Sequence, residues 1–176
     1  MTASERVLRA LEFASEKHKG QKRIGGEAYI THPIAVCEMV KAKGYGEEYQ
    51  ITALFHDLLE DTNATEEEIL RFGNAEILTA VKLLTKQKGY DMAQYIGAIK
   101  NNALAFVVKG ADRLHNVQCA LITDAEFKRK YVLETVDWYL DFSPEIRTAV
   151  KRLAESMDTP IAELSFLYNP VETWKL

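Results

Sequence analysis

Residues 51–61 read Ile-Thr-Ala-Leu-Phe-His-Asp-Leu-Leu-Glu-Asp. An apolar stretch here sets His56 beside Asp57, with Glu60 and Asp61 one turn further on. On a helix, 56 and 60 share a face, as do 57 and 60/61. Leu54, Leu58 and Leu59 surround them. Three carboxylates and an imidazole in one apolar turn are costly to bury without compensating charge. A divalent cation would supply it. The mixed imidazole and carboxylate set suits Mn²⁺, Fe²⁺ or Zn²⁺, and such an ion with open positions acidifies a water and polarises a phosphoryl oxygen. The plainer reading, a hydrogen-bonded pair at a helix end, fits an isolated His or Asp better than it fits this pair.

Helical periodicity extends outward from this stretch in both directions. Ser4 is placed to cap a first helix, whose face carries Val7, Ala10, Leu11, Ala14 and His18. Gly20, Gly25 and Gly26, with Lys22 and Arg23 between them, mark residues 20–31 as an exposed loop. Thr31 is then expected to cap a helix with Pro33 in its first turn, ending near Lys43 at Gly44 and Gly46. One helix is expected from about Glu47 through Asp61. Thr65 and Glu68 form a capping box for a short helix ending at Phe72-Gly73. Further helices are expected at about 74–85, 91–122 (interrupted near Asn101-Asn102), 126–141, 144–157 and 160–167. No alternating strand or hairpin pattern appears; the β-prone Phe106-Val107-Val108 sits among helical neighbours. The fold class is therefore all-α.

A chain of 176 residues suits one domain, expected over 1–176. Its 47% hydrophobic and 27% charged residues are ordinary for a globular protein. The net charge of −4 argues against a nucleic-acid polymer as partner, though a local basic patch can still bind a small phosphorylated nucleotide. No apolar run approaches the roughly 20 residues of a membrane span. The first residues mix charge with apolar side chains, unlike a signal peptide. Cys37 and Cys119 show no CxxC spacing and read as small buried residues. A reducing, cytoplasmic setting is expected.

Other segments carry possible chemistry. His32 stands at a helix start where it can serve as a ligand. Asp112 emerges from the apolar segment Val107-Val-Lys-Gly-Ala-Asp-Arg-Leu-His-Asn116. The loop cations Lys19, Lys22 and Arg23 are either solvated or a phosphate clamp, Arg23 giving bidentate contacts and Lys22 a point charge. Thr85 caps a helix end or belongs to a motif with Leu84 and Lys86. Tyr131, Trp138, Tyr139 and Phe142 form either core or a base-stacking platform, core being the commoner case.

Taken together, these blocks resemble the HD hydrolase domain of the RelA/SpoT family, especially its small stand-alone alarmone hydrolases. The resemblance is carried by His18-Lys-Gly-Gln-Lys-Arg23, Gly26-Glu-Ala-Tyr-Ile-Thr-His-Pro33, Ala53-Leu-Phe-His-Asp-Leu-Leu-Glu-Asp-Thr62, Thr65, Phe72-Gly73, Leu84-Thr-Lys86 and Ala111-Asp-Arg-Leu-His-Asn116. It covers about residues 3–140 in the family's order and leaves 143–176 as C-terminal helices and a tail. It implies an HD-domain helical bundle in which His32, His56, Asp57 and Asp112 bind Mn²⁺. It also implies that Glu60 and Asp61 act around the nucleophilic water, that Arg23 meets the substrate's phosphates, and that Asn116 meets its nucleotide. The implied reaction removes the 3′-pyrophosphate of (p)ppGpp to give GDP or GTP, with no synthetase or regulatory domain expected.

Three differences fall on the substrate side and none on a metal ligand. Ile24 replaces a lysine after the loop arginine. Val117-Gln-Cys119 replaces a Met-Arg-Thr. Gly110 stands where a leucine is usual. They keep open an HD hydrolase of another phosphorylated nucleotide, such as a nucleoside monophosphate, a cyclic nucleotide or NADPH. A non-catalytic nucleotide-binding module needs neither a metal nor a base, so the His-Asp and Glu-Asp pairs argue against it.

Overall fold

The computed structural model describes residues 4–157 of the chain. These residues fall into two compact units that divide between His115 and Asn116. The helix expected at 160–167 and the C-terminal tail lie outside the described residues.

The first unit is built from short helices: α1 (Glu5–Lys17), α2 (Thr31–Ala42), α3 (Glu47–Phe55), α4 (Leu58–Asp61), α5 (Glu66–Phe72), α6 (Ala75–Leu84) and α7 (Met92–Lys100), followed by most of α8 (Ala103–Cys119). The all-α reading holds: among the described residues there is no strand, only an isolated antiparallel bridge between Lys22 and Ala28. That bridge folds the glycine-rich loop back on itself. Gly25 and Gly26 turn it at φ of +107° and +90°, a region costly for side chains with a Cβ.

Local signals set most helix ends. The Ser4 hydroxyl accepts from Val7 N–H. Thr65 and Glu68 form the reciprocal capping box. The Asn102 side chain accepts from Ala105 N–H at 2.9 Å, which restarts the helix after the break at Asn101-Asn102. Two boundaries and one burial differ from expectation. Thr31 does not cap α2; it is the first helical residue, and its hydroxyl donates to Ala28 O at 2.8 Å. The helix expected over 47–61 is interrupted at His56-Asp57, where Asp57 flattens to ψ −1°. The His56 ring takes Ala53 O at 2.7 Å, so a side chain serves as donor where the backbone ladder stops. Cys119 is partly exposed rather than buried, whereas Cys37 is buried as expected.

Within this unit α3 packs against α1, α2 and α6. Ile51, Leu54, Phe55 and Leu58 are buried to 1% exposure or less. Each such side chain contributes about 1.5–3 kcal/mol by leaving water. Phe13 meets Phe55 edge-on at 5.5 Å and stacks on Phe72 at 4.4 Å, and Lys17 pairs with Glu68 at 2.7 Å. The stretch ending in His56-Asp57 is thus seated against α1, α2 and α6.

The second unit contains the end of α8, a 3₁₀ turn (Ala120–Ile122), α9 (Ala125–Trp138) and α10 (Pro144–Glu155). Val117, Ala120, Val132, Val150, Leu153 and Ala154 form its core, with Tyr131 packed against them. Tyr139 and Phe142 are buried here with ring centroids 5.6 Å apart, which favours core over a stacking platform.

Thr65→Ala should lower the free energy of unfolding by about 1 kcal/mol, the worth of a capping side chain. Urea denaturation checks this; an unchanged midpoint would show that the box contributes nothing.

Candidate metal centre

Four side chains from three places in the chain converge. His32 lies in the first turn of α2, His56 and Asp57 at the junction of α3 and α4, and Asp112 on α8. His56 Nε2 lies 3.2 Å from His32 Nε2 and 3.0 Å from Asp57 Oδ2. His32 Nε2 lies 3.1 Å from Asp112 Oδ1 and 3.7 Å from Asp57 Oδ2, and His56 Nε2 lies 3.8 Å from Asp112 Oδ1. His32, His56 and Asp112 are at most 5% exposed.

The donor chemistry fits a divalent cation. A carbonyl oxygen only accepts, so the contact with Ala53 O puts a proton on His56 Nδ1. A neutral His56 therefore turns a bare lone pair toward His32 Nε2 and Asp57. Lone pairs and carboxylates facing one another at 3.0–3.8 Å repel unless positive charge lies between them. Those separations are also what neighbouring ligands around an ion with bonds of about 2.1 Å would show. His32, His56 and Asp57 offer ligand atoms within 4.8 Å of one another.

The electrostatics tell the same story through protons. Burial opposes charge on His56, but Asp57 and then Asp112 outweigh it and push its pKa up to about 9. Burial would also raise the Asp57 carboxyl, yet His56 holds it well below the ordinary range. Asp112 is held down chiefly by Lys109, against burial; Lys109 Nζ lies 2.8 Å from Asp112 Oδ2. Burial lowers His32, with Asp112 pulling the other way. One proton, on His56, thus occupies the place that suits a cation.

Glu60 and Asp61 lie on α4 beside this cluster. Glu60 accepts the Lys86 N–H at 2.8 Å. Desolvation raises its pKa first, the Lys86 bond opposes, and Asp57 and Asp61 add to the rise. Asp61 Oδ2 lies 2.8 Å from the Tyr29 hydroxyl, whose other neighbour is Asp57 Oδ2 at 2.7 Å. Burial, then the two aspartates, raise Tyr29 far above its usual value and keep it a neutral phenol. The Arg23 guanidinium lies over the Tyr29 ring, 5.6 Å from its centroid. The Lys22 side chain is exposed on the same loop. Asn116 follows Asp112 by four residues on α8 but belongs to the second unit.

Sequence reasoning gave no role to Tyr29 or His115. The Tyr29 ring stacks on His18 at 4.7 Å and its hydroxyl touches two candidate residues. His115 Nδ1 lies 2.8 Å from His32 Nδ1. Burial, then His32 and Arg23, lower its pKa to about 4. The available signal was spacing: Tyr29 precedes His32 by three residues, and His115 follows Asp112 by three.

The chain belongs to the HD-domain family, whose model matches residues 10–143. It is 37% identical over 144 residues to a protein of Aquifex aeolicus named guanosine-3′,5′-bis(diphosphate) 3′-pyrophosphohydrolase, a match spanning 77% of this chain and 21% of that one. It is 30% identical over 178 residues to a protein of Brucella melitensis named GTP pyrophosphokinase rsh, spanning 95% of this chain and 23% of that one. The chain thus spans less than a quarter of the length of these relatives. A solved structure described as a metazoan ortholog of SpoT that hydrolyzes ppGpp matches with a TM-score of 0.61 at 20% identity, over 95% of this chain and 93% of that one. At that identity the likeness speaks for the HD-domain helical fold. No helix among the described residues is long and apolar enough to cross a membrane.

Because His56 carries its proton up to about pH 9, an incoming cation must displace it. Affinity for a divalent metal should then rise about tenfold per pH unit from pH ~7 to ~9 and level above. Calorimetric titration in two buffers of different ionisation heat should record about one proton released per ion at pH 7. Binding without proton release would contradict this arrangement.

Proposed function

We propose that this chain is a divalent-metal-dependent phosphohydrolase that removes the 3′-pyrophosphate from guanosine alarmones, (p)ppGpp, to give GDP or GTP. The observation that carries the reading is the convergence of two imidazole Nε2 atoms and two carboxylates, with Glu60 and Asp61 beside them on α4. The name of the Aquifex relative points to the same substrate.

In this reading His32, His56, Asp57 and Asp112 hold Mn²⁺, with Fe²⁺ or Zn²⁺ as alternatives from the same donor set. When bound, the ion supplies a Lewis acid that polarises a phosphoryl oxygen and lowers the pKa of a water. Glu60 takes a proton from the attacking water; burial raises its carboxyl above the usual range, which makes it a stronger base. Asp61, fixed against the Tyr29 hydroxyl, orders that water. The water oxygen attacks the phosphorus nearest the ribose. The bond from that phosphorus to the 3′ oxygen breaks, and the proton taken by Glu60 passes to that oxygen, leaving a 3′ hydroxyl and pyrophosphate. Arg23 and Lys22 meet the phosphates, where fixed cations stabilise the developing charge, and Asn116 meets the nucleotide.

The reading treats 1–176 as a single HD domain, working in the cytoplasm on a small phosphorylated nucleotide. A second reading, hydrolysis of another nucleotide such as a nucleoside monophosphate, a cyclic nucleotide or NADPH, has one observation in its favour. Ile24, 62% exposed on the basic loop, stands where the resembling family carries a further lysine.

Hydrolysis of ppGpp, NADPH, nucleoside monophosphates and cyclic nucleotides in Mn²⁺, with products identified by chromatography, tests both readings. GDP and pyrophosphate from ppGpp, at a kcat/KM well above the others, are expected. Glu60→Gln should lower kcat by about 10²–10⁴-fold with Mn²⁺ still bound, and Asp57→Ala should lose both metal and turnover. Full activity in Asp57→Ala would contradict the ligand assignment. Faster turnover of NADPH or a cyclic nucleotide would favour the second reading, and no turnover of any would leave a binding module.

A further inference from the structure

We infer that His115 is a positioning residue that sets the tautomer of His32, keeping the His32 Nε2 lone pair directed at the cation position. This rests on the metal-centre reading above and extends it to a residue outside the ligand set.

The footing is a single close contact between two rings. His115 Nδ1 and His32 Nδ1 lie 2.8 Å apart, with ring centroids 4.9 Å apart and planes 30° apart. Two imidazole nitrogens at that distance share one proton: two bare lone pairs repel, and two N–H groups collide. One ring donates and the other accepts. The other face of His32 decides which. Its Nε2 lies 3.2 Å from His56 Nε2 and 3.1 Å from Asp112 Oδ1, where only a bare nitrogen can bind a cation. A neutral imidazole has one N–H, so a bare Nε2 places the His32 proton on Nδ1. His115 Nδ1 must then accept, and the proton of His115 sits on its own Nε2. With the tautomers reversed, His32 would direct an N–H at the cation.

The two histidine ligands are therefore held by different means. The Ala53 carbonyl fixes His56 at 2.7 Å, and a carbonyl can only accept. His32 depends on a side chain able to donate or accept, carried by α8 one turn beyond Asp112. Helix α8 thus supplies one ligand and also orients another that belongs to α2. Partners of this kind, bonded to the far nitrogen of a ligating histidine, change metal affinity by about 10–100-fold when removed.

The test uses Zn²⁺ as a diamagnetic probe on the full chain. His115→Leu removes the acceptor and keeps bulk; His115→Asn keeps an acceptor oxygen near the position of Nδ1. Competition titration should show Zn²⁺ affinity about 10–100-fold weaker in His115→Leu and largely restored in His115→Asn, with similar melting midpoints for the two metal-free variants. Nitrogen-15 NMR of the native Zn²⁺-loaded chain should show His32 protonated at Nδ1 and His115 at Nε2, a readout that stands even if His115→Leu does not fold. Native affinity in His115→Leu, or a proton on His115 Nδ1, overturns the role of His115 alone. A native chain that binds no divalent metal overturns the metal centre, and this role with it.

Discussion

Two imidazole nitrogens held 3.2 Å apart against two mostly covered carboxylates are the constraint around which the first unit is arranged. Such a cluster is unfavourable in a protein interior unless positive charge is shared among its members. A proton on His56 meets that requirement without metal, and a divalent cation meets it with more ligands satisfied. The elements that bring the cluster together are α2, the α3–α4 junction, where the His56 ring takes the Ala53 carbonyl, and α8. They are fixed by the burial of Ile51, Leu54, Phe55 and Leu58 behind the site.

The surroundings of the cluster form a graded shell. Lys109 balances the far oxygen of Asp112, the Ala53 carbonyl orients His56, and Tyr29 bridges Asp57 to Asp61. The Tyr29 ring also meets His18 at 4.7 Å and the Arg23 guanidinium of the basic loop at 5.6 Å. Lys86 holds Glu60 through its backbone, so the two acidic residues of α4 are set by different neighbours.

What could be read from the sequence follows the range of the interactions. The all-α class, the capping box at Thr65 and Glu68, the Ser4 cap and the break at Asn101-Asn102 are decided within four residues and were legible. So was the unusual adjacency of His56 and Asp57. The interruption between α3 and α4 was not, because its backbone stays near helical dihedrals and a side-chain bond to Ala53 decides it. Thr31 looked like a cap because threonines often are, yet its hydroxyl turns back to the loop carbonyl of Ala28. Tyr29 and His115 carry only a spacing signal, because the partners that give them roles, Asp57 and His32, lie 28 and 83 residues away. His32 and Asp112 are 80 residues apart, so only the family resemblance, and not spacing, assigns them to one site.

In the proposed reading, His32, His56, Asp57 and Asp112 form a preorganised site for one divalent cation. Anomalous diffraction at the manganese edge, from crystals of the full chain grown with Mn²⁺, tests it most directly. One strong peak is expected, bonded by the Nε2 atoms of His32 and His56 and by the carboxylates of Asp57 and Asp112. A peak elsewhere, or no peak with His56 Nε2 still donating to Asp57, would contradict it.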